Sequence, residues 1–157
     1  MKKKKVLLIV LAMTVLASCQ EEVEYPVEPH ITYEGFDYVV DDNNNLTGEG
    51  VLHIGYTDGD GDLGLDDGDT LYPFGINDPH YYNLLIDYIT PSDTFKFDAR
   101  FKRLLFNDEV KAISGTIDYT MMLLNPLAPH DSIRLKIHII DRALHESNTI
   151  ETEPICF

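Results

Sequence analysis

Residues 132–141 alternate most cleanly: Ile133, Leu135, Ile137 and Ile139 fall on one side, Arg134, Lys136 and His138 on the other. A period of two is that of a strand with one buried face. Residues 115–124 repeat the pattern, with Ile117, Tyr119, Met121 and Leu123 against Thr116, Asp118 and Thr120. So do residues 50–57, where Leu52, Ile54 and Tyr56 share a face and His53 lies opposite. Residues 31–40 carry Ile31, Tyr33, Phe36, Tyr38 and Val40, whose change of phase near Gly35 predicts a bulge. Residues 81–89, rich in Tyr, Leu and Ile, predict another strand, and Phe95 and Phe97 alternate on the next. Pro154 in 147–155 suits a terminal edge strand. Asp41 to Asn45, Pro91-Ser92-Asp93 and residues 125–131, with Pro126 and Pro129, read as turns or loops. Only residues 98–112 are ambiguous: Phe101, Leu104 and Leu105 fit a helical turn, while Asn107-Asp108-Glu109 fits a turn between strands. About seven short strands separated by turns predict an all-β chain, an antiparallel two-sheet sandwich. A closed barrel is the alternative.

One stretch breaks the alternation. From Tyr56 the chain reads Y-T-D-G-D-G-D-L-G-L-D-D-G-D, with Asp58, Asp60, Asp62, Asp66, Asp67 and Asp69 inside twelve residues. No strand or helix hides six carboxylates, so the run needs water or a cation. Calcium takes six to eight oxygens from a chain that curls tightly, and aspartates separated by single glycines supply that spacing. The run is not an EF-hand: Leu63 stands at the sixth position, where glycine is required, and Asp69 at the twelfth, where Glu is usual. The reading is a D-x-D-x-D calcium loop between strands, with Asp58, Asp60 and Asp62 as ligands; a solvated acidic loop is the alternative.

Charge narrows the partners. The 157 residues carry 12 Lys+Arg and 27 Asp+Glu, a net charge of −15. That excludes a nucleic-acid binder, which needs a basic face, and disfavours adsorption to an anionic bilayer. Lys96, Arg100, Lys102, Arg103 and Lys111 read as a solvated face. The six histidines form no ligand pair at zinc spacing. No nucleophile elbow or phosphate loop is present.

The N-terminus is an address. Lys2 to Lys5 precede an apolar run, Val6 to Leu16, too short to span a bilayer, and residues 1–18 read as a signal peptide. Leu16-Ala17-Ser18-Cys19 resembles a bacterial lipobox, which implies cleavage before Cys19 and lipid attachment there. Gln20-Glu21-Glu22 resembles the acidic export tag of lipoproteins in Bacteroidota-type bacteria, which implies an outer-membrane, surface-exposed protein. Residues 19–29 are then an acidic tether with Pro26 and Pro29, leaving 30–157 as the folded domain. With Cys19 acylated, Cys156 has no partner and reads as a buried or C-terminal thiol without chemistry.

Asp141-Arg142-Ala143-Leu144-His145-Glu146-Ser147-Asn148 resembles the hairpin between the last two strands of immunoglobulin-like domains in bacterial surface proteins. With the T-D-G-D-G-D-L-G loop and G-T-I-D, most of residues 50–155 resembles small immunoglobulin-like surface lipoproteins of Bacteroidota-type bacteria. The resemblance implies the fold and the location and brings no activity. By themselves, Asp141 and Asn148 read as turn formers. In an immunoglobulin-like sandwich the loop after the second strand and the last hairpin emerge at one end. Asp141 would therefore close the cage begun by Asp58, Asp60 and Asp62, with Asp66 a fifth candidate. The expected function is a non-enzymatic surface binding or adaptor module with a structural calcium ion and a glycan or protein partner. A structural domain of an envelope assembly comes second and a metal-dependent hydrolase last. For a glycan, Tyr72, Phe74, Tyr81 and Tyr82 are the candidate contacts, since rings stack on sugar faces.

Overall fold

The computed structural model describes residues 24–43, 46–104, 111–122 and 132–156. The signal peptide, Cys19, the 107–109 turn, the 125–131 loop and Leu123 lie outside them. All the described elements are strands: β1 His30–Val40, β2 Leu46–Asp58, β3 Leu84–Ile89, β4 Thr94–Lys96, β5 Ile113–Met122, β6 Ser132–Ile139, β7 Ile150–Glu151 and β8 Ile155–Cys156. They form two antiparallel sheets, β1-β2-β5 and β4-β3-β6-β7, with β8 also paired to β6. The sandwich expectation holds.

Alternation builds the core. Leu52, Ile54, Ile117 and Met121 from the first sheet meet Leu84, Ile86, Ile133, Leu135, Ile137 and Ile139 from the second in one buried cluster. Four fully buried side chains on β6 alone stabilise the fold by roughly 1.5–3 kcal/mol each, before the entropy of ordering the chain. The register of β1 on β2 shifts between Tyr33 and Gly35, the expected bulge.

Two open alternatives are decided and two expectations need correction. Residues 98–104 make no helical turn: Ala99 bridges Leu84 antiparallel and Lys102 bridges Leu65 in parallel. These bonds draw Leu63, Leu65 and Phe101 into the buried interior, which offers more than an isolated turn would. The strand expected from Tyr81 begins at Leu84, because the Tyr81 carbonyl accepts a hydrogen bond from Arg100 at 3.0 Å. The last strand is split into β7 and β8 with a one-residue slip in register. Leu135 and Thr152 close that gap through two bonds of 2.9 and 3.0 Å. Of the two readings of Cys156, the exposed C-terminal thiol is the one found.

Candidate metal centre

Asp58 is the last residue of β2 and Asp141 follows β6 by two positions. Antiparallel packing brings both strand ends to one end of the sandwich, as the strand order requires. Asp60 and Asp62 curl over them on the connecting loop, where Gly61 has φ +73°, a left-handed value that a side chain disfavours. The four carboxylates each offer an oxygen within 4.8 Å of the others. Asp58 and Asp141 are buried, and Asp60 and Asp62 half-buried.

The tether also reaches this loop. A Cβ on Gly59 would sit 2.3 Å from the Tyr25 carbonyl oxygen and 2.5 Å from that of Pro26. Glycine is thus needed at 59 so that the incoming chain can lie against the aspartate run. The stretch expected as a spacer is, at Tyr25 and Pro26, packed on the loop.

The electrostatics of the group are unbalanced. Neither carboxylate oxygen of Asp58 accepts a hydrogen bond from any described residue, nor does Oδ1 of Asp60 or of Asp62. Burial, then the carboxylates of Asp60, Asp62 and Asp141, push the Asp58 carboxyl up to about 7. Burial, then Asp141 and Asp60, raise Asp62 to about 6, against a hydrogen bond from the Ala143 amide. Asp141 is raised by burial and partly relieved by His145, whose amide and Nδ1 lie 2.8 and 2.9 Å from its two oxygens. Asp141 is therefore both a turn former and a member of the cluster. Two unit charges at this separation repel by roughly 3–4 kcal/mol at an effective dielectric of 20. Four oxygen donors suit a hard cation such as calcium and give a soft metal nothing to prefer.

Asp66 does not join them. Its carboxylate lies 3.4 Å from Arg103 and 3.8 Å from Arg142. Arg142 also donates to Asp69 at 2.9 Å, so it ties the loop to the last hairpin just beside the cluster. Asn148 does more than shape a turn: its amide side chain bonds both the amide and the carbonyl of Ile31, at 2.7 and 2.9 Å. A backbone-like clamp thus holds the start of β1.

The basic group is not a solvated face throughout. Arg100 donates to the carbonyls of Asp69, Asp66, Tyr81 and Phe74 at 2.9–3.4 Å, winding residues 66–81 around one guanidinium. Of the four candidate rings, Tyr72 is 80% and Tyr82 46% exposed. Phe74 and Tyr81 are half-buried along a cleft, and Tyr81 meets Tyr82 edge-on at 4.9 Å. The rings are outside the core.

Sequence reasoning missed Arg100, Arg142 and His145. The D-x-x-x-H spacing of Asp141 and His145 is a local signal for the last; nothing local marks the other two. Comparison with protein-family models, curated proteins and solved structures finds no match to this chain.

Proposed function

We propose that this chain is a lipid-anchored binding module displayed on a bacterial outer membrane, with a structural calcium ion pinning the base of its binding loop. The observation that carries the calcium reading is the Asp58 carboxylate, buried without a hydrogen-bond donor and facing three more carboxylates. Asp58, Asp60, Asp62 and Asp141 would hold the ion, with backbone carbonyls or water completing its shell. Its work is mechanical: it cancels the repulsion and joins the loop after β2 to the hairpin after β6. The strand order β1-β2-β5 against β4-β3-β6-β7 supports an immunoglobulin-like arrangement.

A binding role is supported by the connection between Asp58 and Leu84. Its 25 residues far exceed what two strands need, and long ordered loops in compact domains usually serve function. Lipid anchoring rests on the lipobox-like Leu16-Ala17-Ser18-Cys19.

Thermal unfolding in millimolar calcium against chelator tests the clamp. At a hundredfold excess over Kd, mass action stabilises the fold by about 2.7 kcal/mol, or roughly 5–10 °C. Magnesium should substitute poorly. Identical midpoints, with no heat on calcium titration, would leave a solvated acidic loop. Anchoring is tested apart from this: Cys19→Ala should move the protein from the membrane to the soluble fraction, and unchanged retention would overturn it.

A further inference from the structure

The loop above the clamp encloses a cleft of about 450 Å³, lined by Asp67, Asp69, Thr70, Phe74, Ile76 and Tyr81 with Arg100. That volume is within the range of small-ligand sites. The cleft is preformed. Its wall is a run of turns in which the amides of Asp69, Thr70, Phe74, Asp78, His80 and Tyr81 donate to carbonyls of the same loop. The Gly75 amide donates to Asp78 Oδ2 at 3.0 Å. Arg100 fixes four carbonyls of this loop from within and places its guanidinium 5.2 Å from the centre of the Tyr81 ring.

The lining selects the ligand. Phe74, Ile76 and Tyr81 offer an apolar surface, while Asp67 and Thr70 offer hydrogen-bonding groups close by; both oxygens of Asp69 already accept, from the Asp66 amide and from Arg142. A sugar ring has that division, with C–H groups on its faces and hydroxyls on its edge. Both terminal nitrogens of Arg100 already donate to carbonyls, and the other charged groups in the lining are two carboxylates, so an anionic ligand meets two like charges and no free guanidinium donor on those nitrogens. A peptide added as a strand needs free backbone groups, and much of this loop's backbone is bonded within the loop or to Arg100. We propose that this cleft binds a neutral carbohydrate, with Phe74 and Tyr81 against the sugar faces and Asp67 and Thr70 at its hydroxyls. This deepens the surface-binding reading given above and rests on it.

The test is gel retardation of the full mature chain, calcium-loaded and in detergent, by amylopectin, xylan and mannan, with polygalacturonate and polylysine as rivals. At least one neutral polysaccharide should retard it, and polygalacturonate should not. Phe74→Ala should weaken retardation roughly tenfold. Because Phe74 is half-buried, Asp67→Ala combined with Ile76→Ala is the second variant. The Asp67 side chain is 86% and Ile76 75% exposed, so this pair should weaken retardation without moving the melting midpoint. No retardation by the three neutral polymers, retardation undiminished in the double variant, or retardation by polylysine alone would overturn the proposal. Calcium-dependent melting of the same samples separates the two readings. Absent retardation with an intact calcium response sinks only the cleft; retardation without a calcium response sinks only the clamp.

Discussion

Among the described residues, carboxylates gather both on the outer face of one sheet and at the end of the sandwich. On the outer face of the three-stranded sheet, His53 on β2 stands between Asp118 on β5 and Asp37 on β1, at 2.7 and 3.2 Å. Both acids are largely open to water, with side chains 81% and 66% exposed for Asp37 and Asp118. At the end of the sandwich, Asp58, Asp60, Asp62 and Asp141 meet with two members buried, and the imidazole of His145 touches only one of them. The first group holds a titratable imidazole whose protonated form its two acids favour, and it is screened by solvent. The second has four acids, one partial counter-charge and little water. The same residue type thus gives a solvated triad around a titratable imidazole in one place and a demand for an external cation in the other.

Asp58→Asn should have the largest effect. In calcium it removes a ligand and should erase the calcium-dependent gain in stability. In chelator it removes a buried charge that faces three others, and it should stabilise the fold by on the order of 1–3 kcal/mol. The sign reversal is the signature of a carboxylate held for a cation. It is read by denaturant unfolding in both conditions. Loss of stability in both would mean that Asp58 serves the fold as an ordinary hydrogen-bonding residue.

A smaller effect comes from pH. Asp58 and Asp62 have folded-state values raised to about 7 and about 6, above the 3.8 of a free carboxyl. The folded state therefore holds protons that the unfolded chain releases. In chelator their contribution is fully present below pH 4 and is lost as pH rises to about 7. The melting midpoint in chelator should fall across that window. In calcium the ion takes the place of the protons, so the gap between the two curves should widen from pH 5 to pH 8. A gap that stays constant would separate calcium binding from these carboxylates.

The difference between the two regions also explains what the sequence made legible. β6 was readable because Ile133, Leu135, Ile137 and Ile139 alternate without interruption and one face of their sheet is buried. Asp58, Asp60 and Asp62 announce themselves through spacing, and Asp141 through the topology that returns β6 to the same end. The fifth candidate, Asp66, is less legible, because density of charge does not say which way a carboxylate turns, and this one lies against Arg103 and Arg142. Arg100 read as a solvent-facing cation because its partners are carbonyls 19–34 residues earlier, which have no side-chain signature. Tyr81 and Tyr82 looked like strand because their composition suits one; a tertiary bond to Arg100 overrides that local preference.

The surface triad supplies the smallest prediction and the control for the others. The carboxylates of Asp118 and Asp37 raise the His53 imidazole above its usual value, chiefly through their hydrogen bonds. Its contribution is therefore complete below pH 6.5 and fades as pH climbs through the raised value, the same direction as at the aspartate cluster. Solvent and salt set the two apart. Exposed ion pairs are worth little and are screened, so His53→Gln should move the melting midpoint by only about one or two degrees at pH 6, and less in 1 M salt. Calcium should leave that difference untouched, because the triad sits on the outer face of a sheet and its acids favour the protonated imidazole at that pH. Following the midpoints of wild type and His53→Gln at pH 6, in calcium and in chelator, decides the matter. Should the variant lose the calcium response, the two groups of carboxylates are coupled through β2, which passes from His53 to Asp58, and the cluster is not an independent clamp.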